Sequence, residues 1–303
     1  MKLKVGIVGY GNLGKALEKQ ISKNPEYELV DVFSRRKLDC CKSYDCIMDY
    51  KDEIDLLFLC SGSQSDLEQQ VCQLVQHFNI IECYDNHSRM SEYLPRIDEL
   101  AKENKKIALC GFGWDPGLFS LMRGLFDSLG FSPTTFWGRG LSQGHTQAIK
   151  NVDGVIDGLQ FTIPNEKAMR AIKSGMAVDF ASDRALHKRV CYVVANPIYW
   201  DEIRQKICNM PAYFLGYETI VKFVSQQKLD KLKSFAHKGQ IVTKGDVINF
   251  SLNLESNPDF TARVLQVFAR NFKVLNENQE YGAYSIFDLP VKNILLKDEI
   301  EYI

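Results

Sequence analysis

Nothing in these 303 residues approaches an apolar run long enough to cross a bilayer. A formal net charge of −1 leaves no general attraction to nucleic acid or anionic membrane, and no basic recognition helix is present. There are no internal repeats and no low-complexity stretches. The nine cysteines are odd in number and lack paired spacing, which excludes a disulfide framework and points to reduced thiols. Cys40, Cys41 and Cys46 cluster without a CxxC or a histidine pair, so no metal site is expected. No Ser/His/Asp triad or activated cysteine emerges either. Met1-Lys2-Leu3-Lys4 leads straight into a strand pattern rather than a signal peptide, so a cytoplasmic location is expected. Asn86-His87-Ser88 is then a chance match to a glycosylation acceptor. With 45% hydrophobic and 25% charged residues, the chain reads as about two ordinary globular domains whose partners are small molecules.

What the chain does have is Gly9-Tyr10-Gly11-Asn12-Leu13-Gly14, standing between the apolar run Val5-Gly6-Ile7-Val8 and a stretch of helical period through Leu13, Ala16, Leu17 and Ile21. In that strand-turn-helix setting the first glycine allows a tight turn and the second lets the backbone approach a pyrophosphate. The third lets helix pack on strand. The diphosphate would rest on amides at the helix N-terminus. Twenty residues past Gly14, where an NAD enzyme carries an acid for the ribose 2′-hydroxyl, the chain reads Ser34-Arg35-Arg36. Guanidinium groups give a 2′-phosphate charge-assisted, often bidentate hydrogen bonds, so the expected cofactor is NADP. The plainer reading of the two arginines is a solvated basic turn.

The first third alternates apolar strands with amphipathic helices: Lys4 to Val8, the Leu13 helix, Leu29 to Phe33, then Asp55 to Cys60. Leu67, Val71, Leu74, Val75 and Phe78 recur at helical spacing, followed by a strand from Ile80 to Tyr84, a helix near Pro95 to Asn104 and a strand from Ile107 to Cys110. This predicts an α/β fold with a doubly wound, Rossmann-type nucleotide domain. Two of its strands run into polar turns, Asp85-Asn86-His87 and Gly111 to Gly117, and ligands in such sheets lie beyond the carboxyl ends of strands. After a helix carrying Leu118 to Leu129 the pattern shifts to longer strands: Thr134 to Gly138, Gly158 to Ile163, Arg189 to Ala195 and Glu218 to Val224. A hairpin turns at Lys244-Gly245-Asp246 into a strand whose Ile248, Phe250, Leu252 and Leu254 share one face. A last helix, with Phe260, Val264, Val267, Phe268 and Phe272 on one side, is expected to return to the nucleotide domain. The domains are therefore 1–117 with about 257–303 for the dinucleotide, and a mixed α+β domain over 118–256.

Asp85 and Asp115, at strand ends, would suit a substrate bearing ammonium groups, because carboxylates only accept hydrogen bonds and favour positive charge. Asp115 before Pro116 also reads as a helix cap with proline at the first helical position, and Asp85 as a turn residue. Trp114 and Trp137 could wall a pocket or anchor core. Leu141-Ser142-Gln143-Gly144-His145 reads as a ligand loop or a helix start, and Arg189 as a carboxylate clamp or a solvated bend. His237, in a glycine-bearing loop, and Asn257, before Pro258, read locally as surface and cap residues.

The glycine turn, Phe33-Ser34-Arg35-Arg36, Leu57-Phe58-Leu59-Cys60, Tyr84-Asp85-Asn86-His87, Gly113-Trp114-Asp115-Pro116-Gly117, Phe136-Trp137-Gly138, Gly140 to His145, His187-Lys188-Arg189 and Asn257-Pro258-Asp259-Phe260-Thr261 together closely resemble the meso-diaminopimelate dehydrogenase family. The resemblance runs in order over nearly the whole chain. It implies NADP-dependent, reversible oxidative deamination at the D-centre of meso-2,6-diaminopimelate, giving L-2-amino-6-oxopimelate and ammonia. It also implies a metal-free homodimer joined through the middle domain. Cys60, Ser61 and Gly62 would join the glycine turn and Ser34, Arg35 and Arg36 around NADP. Asp85 and Asp115 would be the catalytic acids at the reacting D-end, beside Trp114, with Trp137 and the Gln143-Gly144 backbone lining the pocket. Thr162, Arg189, His237 and Asn257 would hold the distant L-end. The stretch from Gln226 to Gln240 departs from the pattern, with Ala236-His237-Lys238-Gly239 where the family usually has a proline and more glycine. Rival readings are another NADP-dependent reductase of amino-acid metabolism, which would share the fold, and an idle NADP-binding sensor.

Overall fold

In the computed structural model, residues 2–62, 66–176, 183–211, 213–234 and 236–303 are described. The chain divides into two compact units, Met1–Leu121 with Pro258–Ile303, and Met122–Asn257.

The first unit opens with β1 (Leu3–Val8), α1 (Asn12–Ile21), β2 (Tyr27–Ser34) and β3 (Lys42–Ser43), then β4 (Leu56–Leu59) and α2 (Leu67–Leu74). There follow β5 (Ile80–Glu82), α3 (Met90–Glu103), β6 (Ile107–Leu109) and α4 (Leu118–Ser128), the last running on into the second unit. The helix α3 starts earlier than expected and carries Pro95 inside it, and β5 stops two residues short, leaving Cys83-Tyr84-Asp85 as a turn.

Leu56 and Phe58 of β4 enter a cluster with Leu17, Ile21, Phe268 and Phe272, whereas Leu57 and Leu59 enter another with Leu67, Val71, Tyr93 and Ile97. All four are fully buried. Such period-two sharing of an unbroken apolar run between opposite faces makes a central parallel strand covered by helices on both sides.

The second unit contains β7 (Thr134–Trp137), β8 (Gly140–Leu141), α5 (Gln143–Lys150), β9 (Val155–Pro164), α6 (Glu166–Lys173) and β10 (His187–Ala195). It continues through α7 (Trp200–Cys208), β11 (Glu218–Phe223), α8 (Gln226–Leu232), β12 (His237–Val242) and β13 (Asn249–Leu254). Its strands form a mixed four-stranded sheet, β11-β10-β9-β8, and an antiparallel three-stranded sheet, β13-β12-β7. In β13, Phe250, Leu252 and Leu254 are covered while Asn249, Ser251 and Asn253 are exposed, the alternation expected of a half-covered hairpin.

The chain ends with α9 (Asn257–Glu277) and β14 (Gly282–Tyr284). Phe268, Ala269 and Phe272 of α9 pack into the first unit's core, and β14 pairs with β6. The completed sheet has seven strands in the order β14-β6-β5-β4-β1-β2-β3, every pair parallel. From β1 the chain goes first to β2 on one side and later to β4 on the other. That reversal leaves a crevice at the carboxyl ends of β1 and β4, the usual ligand position in open α/β sheets.

Among the described residues no helix is long and apolar enough to cross a membrane.

Candidate functional site

The crevice is a cleft of about 230 Å³ lined by Gly9, Tyr10, Gly11, Phe33, Ser34, Arg35, Arg36, Cys60, Ser61 and Gly62, with Val8, Tyr44, Asp66 and Gln70 completing it. Three strand ends build it. Gly9, at φ 96°, turns the chain out of β1, and its N–H donates to the Phe33 carbonyl at 2.9 Å. A Cβ on Gly14 would lie 2.0 Å from the Gly9 carbonyl oxygen, so that glycine is fixed by helix-on-strand packing. Among the described residues, a Cβ on Gly11 would meet nothing within 4 Å. Protein packing gives no reason for glycine there, whereas a ligand seated on the turn does. Gly11 caps α1, whose first amides have no acceptor within the helix and suit a diphosphate. Asn12, Leu13 and Gly14 form that first turn, behind the lining of the cleft.

At the end of β2, Arg36 Nη2 donates to the Tyr10 carbonyl at 2.7 Å, spanning the mouth of the glycine turn, and the Arg36 N–H donates to the buried Ser34 hydroxyl at 3.1 Å. Arg35 is more than half exposed and pairs with Asp66. Both guanidinium groups border the cleft, so the basic turn is solvated and also lines a site. Donors, an open backbone and two cations fit a diphosphate carrying a 2′-phosphate.

Asp85 and Asp115 follow β5 and β6, on neighbouring strand ends of the same sheet edge. The two turns touch: a Cβ on Gly113 would stand 3.7 Å from the Cys83 Cβ, and the Phe112 N–H donates to the Glu82 carbonyl at 2.8 Å. Asp85 is exposed and Asp115 half-buried. The capping reading of Asp115 does not hold, because α4 begins at Leu118 and Asp115-Pro116 belongs to a closed turn. There the Gly113 N–H donates to the Pro116 carbonyl at 2.9 Å, and the Leu118 N–H to the Gly113 carbonyl at 3.2 Å. Trp114 is half-buried and meets Phe119 edge to face, with ring centres 5.2 Å apart. Strands about 4.8 Å apart put β2 and β6, four spacings from each other, roughly 19 Å apart. The arginines and the aspartates thus stand toward opposite ends of one row, with the glycine turn between them.

In the second unit Thr162 and Arg189 are register partners on β9 and β10, and Arg189 Nη1 donates to Thr162 Oγ1 at 2.6 Å. Arg189 is 7% exposed, so the reading as a solvated bend fails. Its guanidinium lies 4.2 Å from the Tyr217 ring centre and also hydrogen-bonds the Tyr217 side chain, while among the described residues its Nε has no hydrogen-bond partner and no carboxylate pairs with it. Burial lowers its pKa. Thr162 Oγ1 also accepts from Gln160 Nε2 at 3.4 Å, leaving the hydroxyl hydrogen to donate elsewhere. Two imidazoles nearby are held neutral: burial first, and then the Arg189 charge, push His145 and His187 down to about 3.

Trp137 joins the same cluster, since its N–H donates to His187 Nε2 at 2.8 Å and the two rings lie 5.0 Å apart. His237 is not in a loop; it opens β12, is 6% exposed, and shares a hydrogen bond of 2.9 Å between Nδ1 and the Lys238 carbonyl. A Cβ on Gly140 would lie 2.4 Å from its ring, and one on Gly138 2.1 Å from the Thr162 carbonyl. Glycines let β7, β8 and β12 crowd around Thr162. Gln143 and Gly144 are the first residues of α5, a helix start rather than a free loop. Asn257 is the half-buried first residue of α9.

Glu82, Tyr217 and Gln160 were not foreseen. A lone acid in Ile80-Ile81-Glu82 is a usable signal for the first; the others are brought in by pairing that no local pattern reveals. Among the described residues no group of three or more His, Cys, Asp or Glu side chains could hold a metal ion.

A family profile described as the diaminopimelic acid dehydrogenase C-terminal domain matches residues 113–256. The meso-diaminopimelate D-dehydrogenase of Ureibacillus thermosphaericus is 41% identical, over 95% of this chain and 94% of that protein. Among solved structures, the C. glutamicum DAP dehydrogenase in complex with DAP superposes with a TM-score of 0.92 at 34% identity, covering 99% of this chain and 98% of that one. An engineered D-amino acid dehydrogenase bound to NADP+ gives 0.90 at 32% identity, with the same coverage.

Proposed function

Because this chain belongs to the meso-diaminopimelate D-dehydrogenases, we propose that it carries out the NADP-dependent, reversible oxidative deamination of meso-2,6-diaminopimelate at its D-centre, yielding L-2-amino-6-oxopimelate and ammonia. The observation that carries this reading is the row of strand ends in the seven-stranded sheet, with Arg35 and Arg36 toward one end and Asp85 and Asp115 toward the other. Bound NADP supplies the acceptor for the hydride leaving the α-carbon of the D-centre. Gly9, Tyr10, Gly11 and the first amides of α1 hold its diphosphate, Ser34, Arg35 and Arg36 its 2′-phosphate, and Cys60, Ser61 and Gly62 close the cleft.

The residues of the chain do the rest. Asp85 orients the D-centre amine and takes up the proton it must shed to become neutral, directly or through water, while Asp115 shares the positive charge. Trp114 walls this end. Arg189 and Thr162 bind the L-end carboxylate, which supports the reading because a buried guanidinium without a protein carboxylate is costly until a ligand supplies one. His237 and Asn257 help to hold the L-end, and Trp137 with the Gln143-Gly144 backbone lines the substrate pocket. Anchoring the far end leaves one α-hydrogen turned toward the cofactor, which is the source of D-specificity.

Residues 1–117 with about 257–303 form the nucleotide domain in this reading, and 118–256 the substrate-binding domain. The latter also joins two copies into a homodimer, supported by apolar side chains it leaves exposed, Ile156 at 72% and Ile198 at 78% among them. Nine free thiols suit the cytoplasm.

The test is reduction of NADP with meso-diaminopimelate, its LL isomer and simple D-amino acids. The meso isomer should support turnover, the LL isomer should not, and D-amino acids lacking the distant carboxylate should be poor. Equal turnover with simple D-amino acids would reassign the chain to a broad D-amino acid dehydrogenase, and nucleotide binding without any turnover to a sensor.

A further inference from the structure

Glu82, the last residue of β5, is completely buried and is met by donors on every side. The Tyr84 N–H donates to Oε2, while the Tyr93 hydroxyl at 3.0 Å and the Gly111 N–H at 3.1 Å donate to Oε1. The Cys110 thiol of the β6 segment adds a fourth bond. Tyr93 belongs to α3 and stacks on Tyr84, ring centres 4.2 Å apart. One carboxylate therefore ties together the turn that leads to Asp85, the turn that leads to Asp115, and the helix packed beneath them.

We propose that Glu82 is a positioning residue, whose ionised carboxylate fixes the separation of the Asp85 and Asp115 turns. This rests on the reading above that those two aspartates meet the D-centre. Charge matters because each oxygen faces a backbone N–H that can only donate, Tyr84 on Oε2 and Gly111 on Oε1: a proton on Oε2 would set an O–H against the Tyr84 N–H and release the turn before Asp85. Burial pushes the carboxyl up to about 7, against the pull of its donors. The titratable groups around it are Tyr93 from α3, Cys110 after β6, and Cys83 and Tyr84 beyond its own strand. The Tyr84 hydroxyl in turn donates to Glu68 of α2 at 3.2 Å, and Glu68 is held by Arg89 and Arg96. Among the described residues no cation is bonded to the Glu82 carboxylate, so its ionisation depends on these neutral donors.

The test compares Glu82→Gln with the native full-length protein. The amide can still accept from Tyr93 and Gly111 but turns an NH2 toward the Tyr84 N–H. We expect kcat to fall about 10- to 100-fold, the NADP dissociation constant to stay within about threefold by fluorescence titration, and the acid limb near pH 7 in the native kcat profile to vanish. A folded variant that keeps both the native kcat and that limb overturns the proposal. Should Glu82→Gln not fold, amide exchange in the native protein decides. Protection of Tyr84 and Gly111, corrected for intrinsic pH effects, should drop as pH falls through 7, and constant protection overturns the proposal. Asp85→Asn and Asp115→Asn are measured alongside. If these leave turnover unchanged, the reading of the site itself fails; if they abolish it while Glu82→Gln behaves as native, only the positioning role fails.

Discussion

Arg189 carries the sharpest electrostatic problem in the protein, a guanidinium 7% exposed whose polar contacts are the Thr162 hydroxyl and the Tyr217 side chain. Truncating one partner of a buried charged pair costs about 2–5 kcal/mol. Arg189→Ala should therefore raise the KM for meso-diaminopimelate by roughly 30-fold or more, with the KM for NADP unmoved in the same steady-state assay. A loss confined to NADP would show that Arg189 does not hold the substrate. The residue was legible in the sequence as a cation before a strand, but not as a buried one. Its burial comes from pairing between β9 and β10 and from Tyr217, which local sequence does not encode. Glu82 hid for a similar reason: one charge in an apolar strand signals something, yet its four donors arrive from α3 and from the segments after β5 and β6.

The strand-turn-helix formed by β1 and α1 shows how one motif mixes two kinds of constraint. At Gly14 the limit is internal, because a Cβ would sit 2.0 Å from the Gly9 carbonyl oxygen, whereas at Gly11 the space is open. Gly14→Ala should push α1 off the strand and cost about 3 kcal/mol or more in denaturant unfolding. Gly11→Ala should cost only about 1 kcal/mol, while weakening NADP binding at least about tenfold by calorimetry. Equal stability losses in the two variants would contradict this division. Such motifs were readable because their residues are contiguous, as was α9, whose Phe268 and Phe272 already lie on one face in the sequence. The strands β3 and β14, two and three residues long, carry too little pattern to be read before their pairing is known. The Asp115 turn misled for a different reason, since Asp-Pro has the same local chemistry in a closed turn as in a helix cap.

For the whole molecule, buried titratable groups give the two units opposite responses to pH. His145 and His187 are held near 3 in the fold against 6.5 for a free imidazole, so the unfolded chain takes up their protons first. Their contribution is complete above pH 6.5 and is lost as pH falls toward 3. Glu82 behaves inversely: with a folded pKa of about 7 against 4.5, its contribution is complete below 4.5 and lost as pH rises through 7. Moving from neutral to pH 5 should cost residues 122–257 about 2 kcal/mol for each histidine, while global unfolding of the other unit becomes harder by a similar amount even as the turn between Glu82 and Asp85 loosens locally. Amide exchange of β9 and β10 should then accelerate at pH 5 relative to the strands β4 and β6, and a uniform response would contradict the buried neutral imidazoles. The central claim is that the L-end is anchored so that only the α-hydrogen of the D-centre is delivered to the cofactor. It is tested most directly by turning over meso-diaminopimelate deuterated at the D α-carbon and weighing the reduced nucleotide by mass spectrometry. The account predicts deuterium in NADPH; unlabelled NADPH would contradict it.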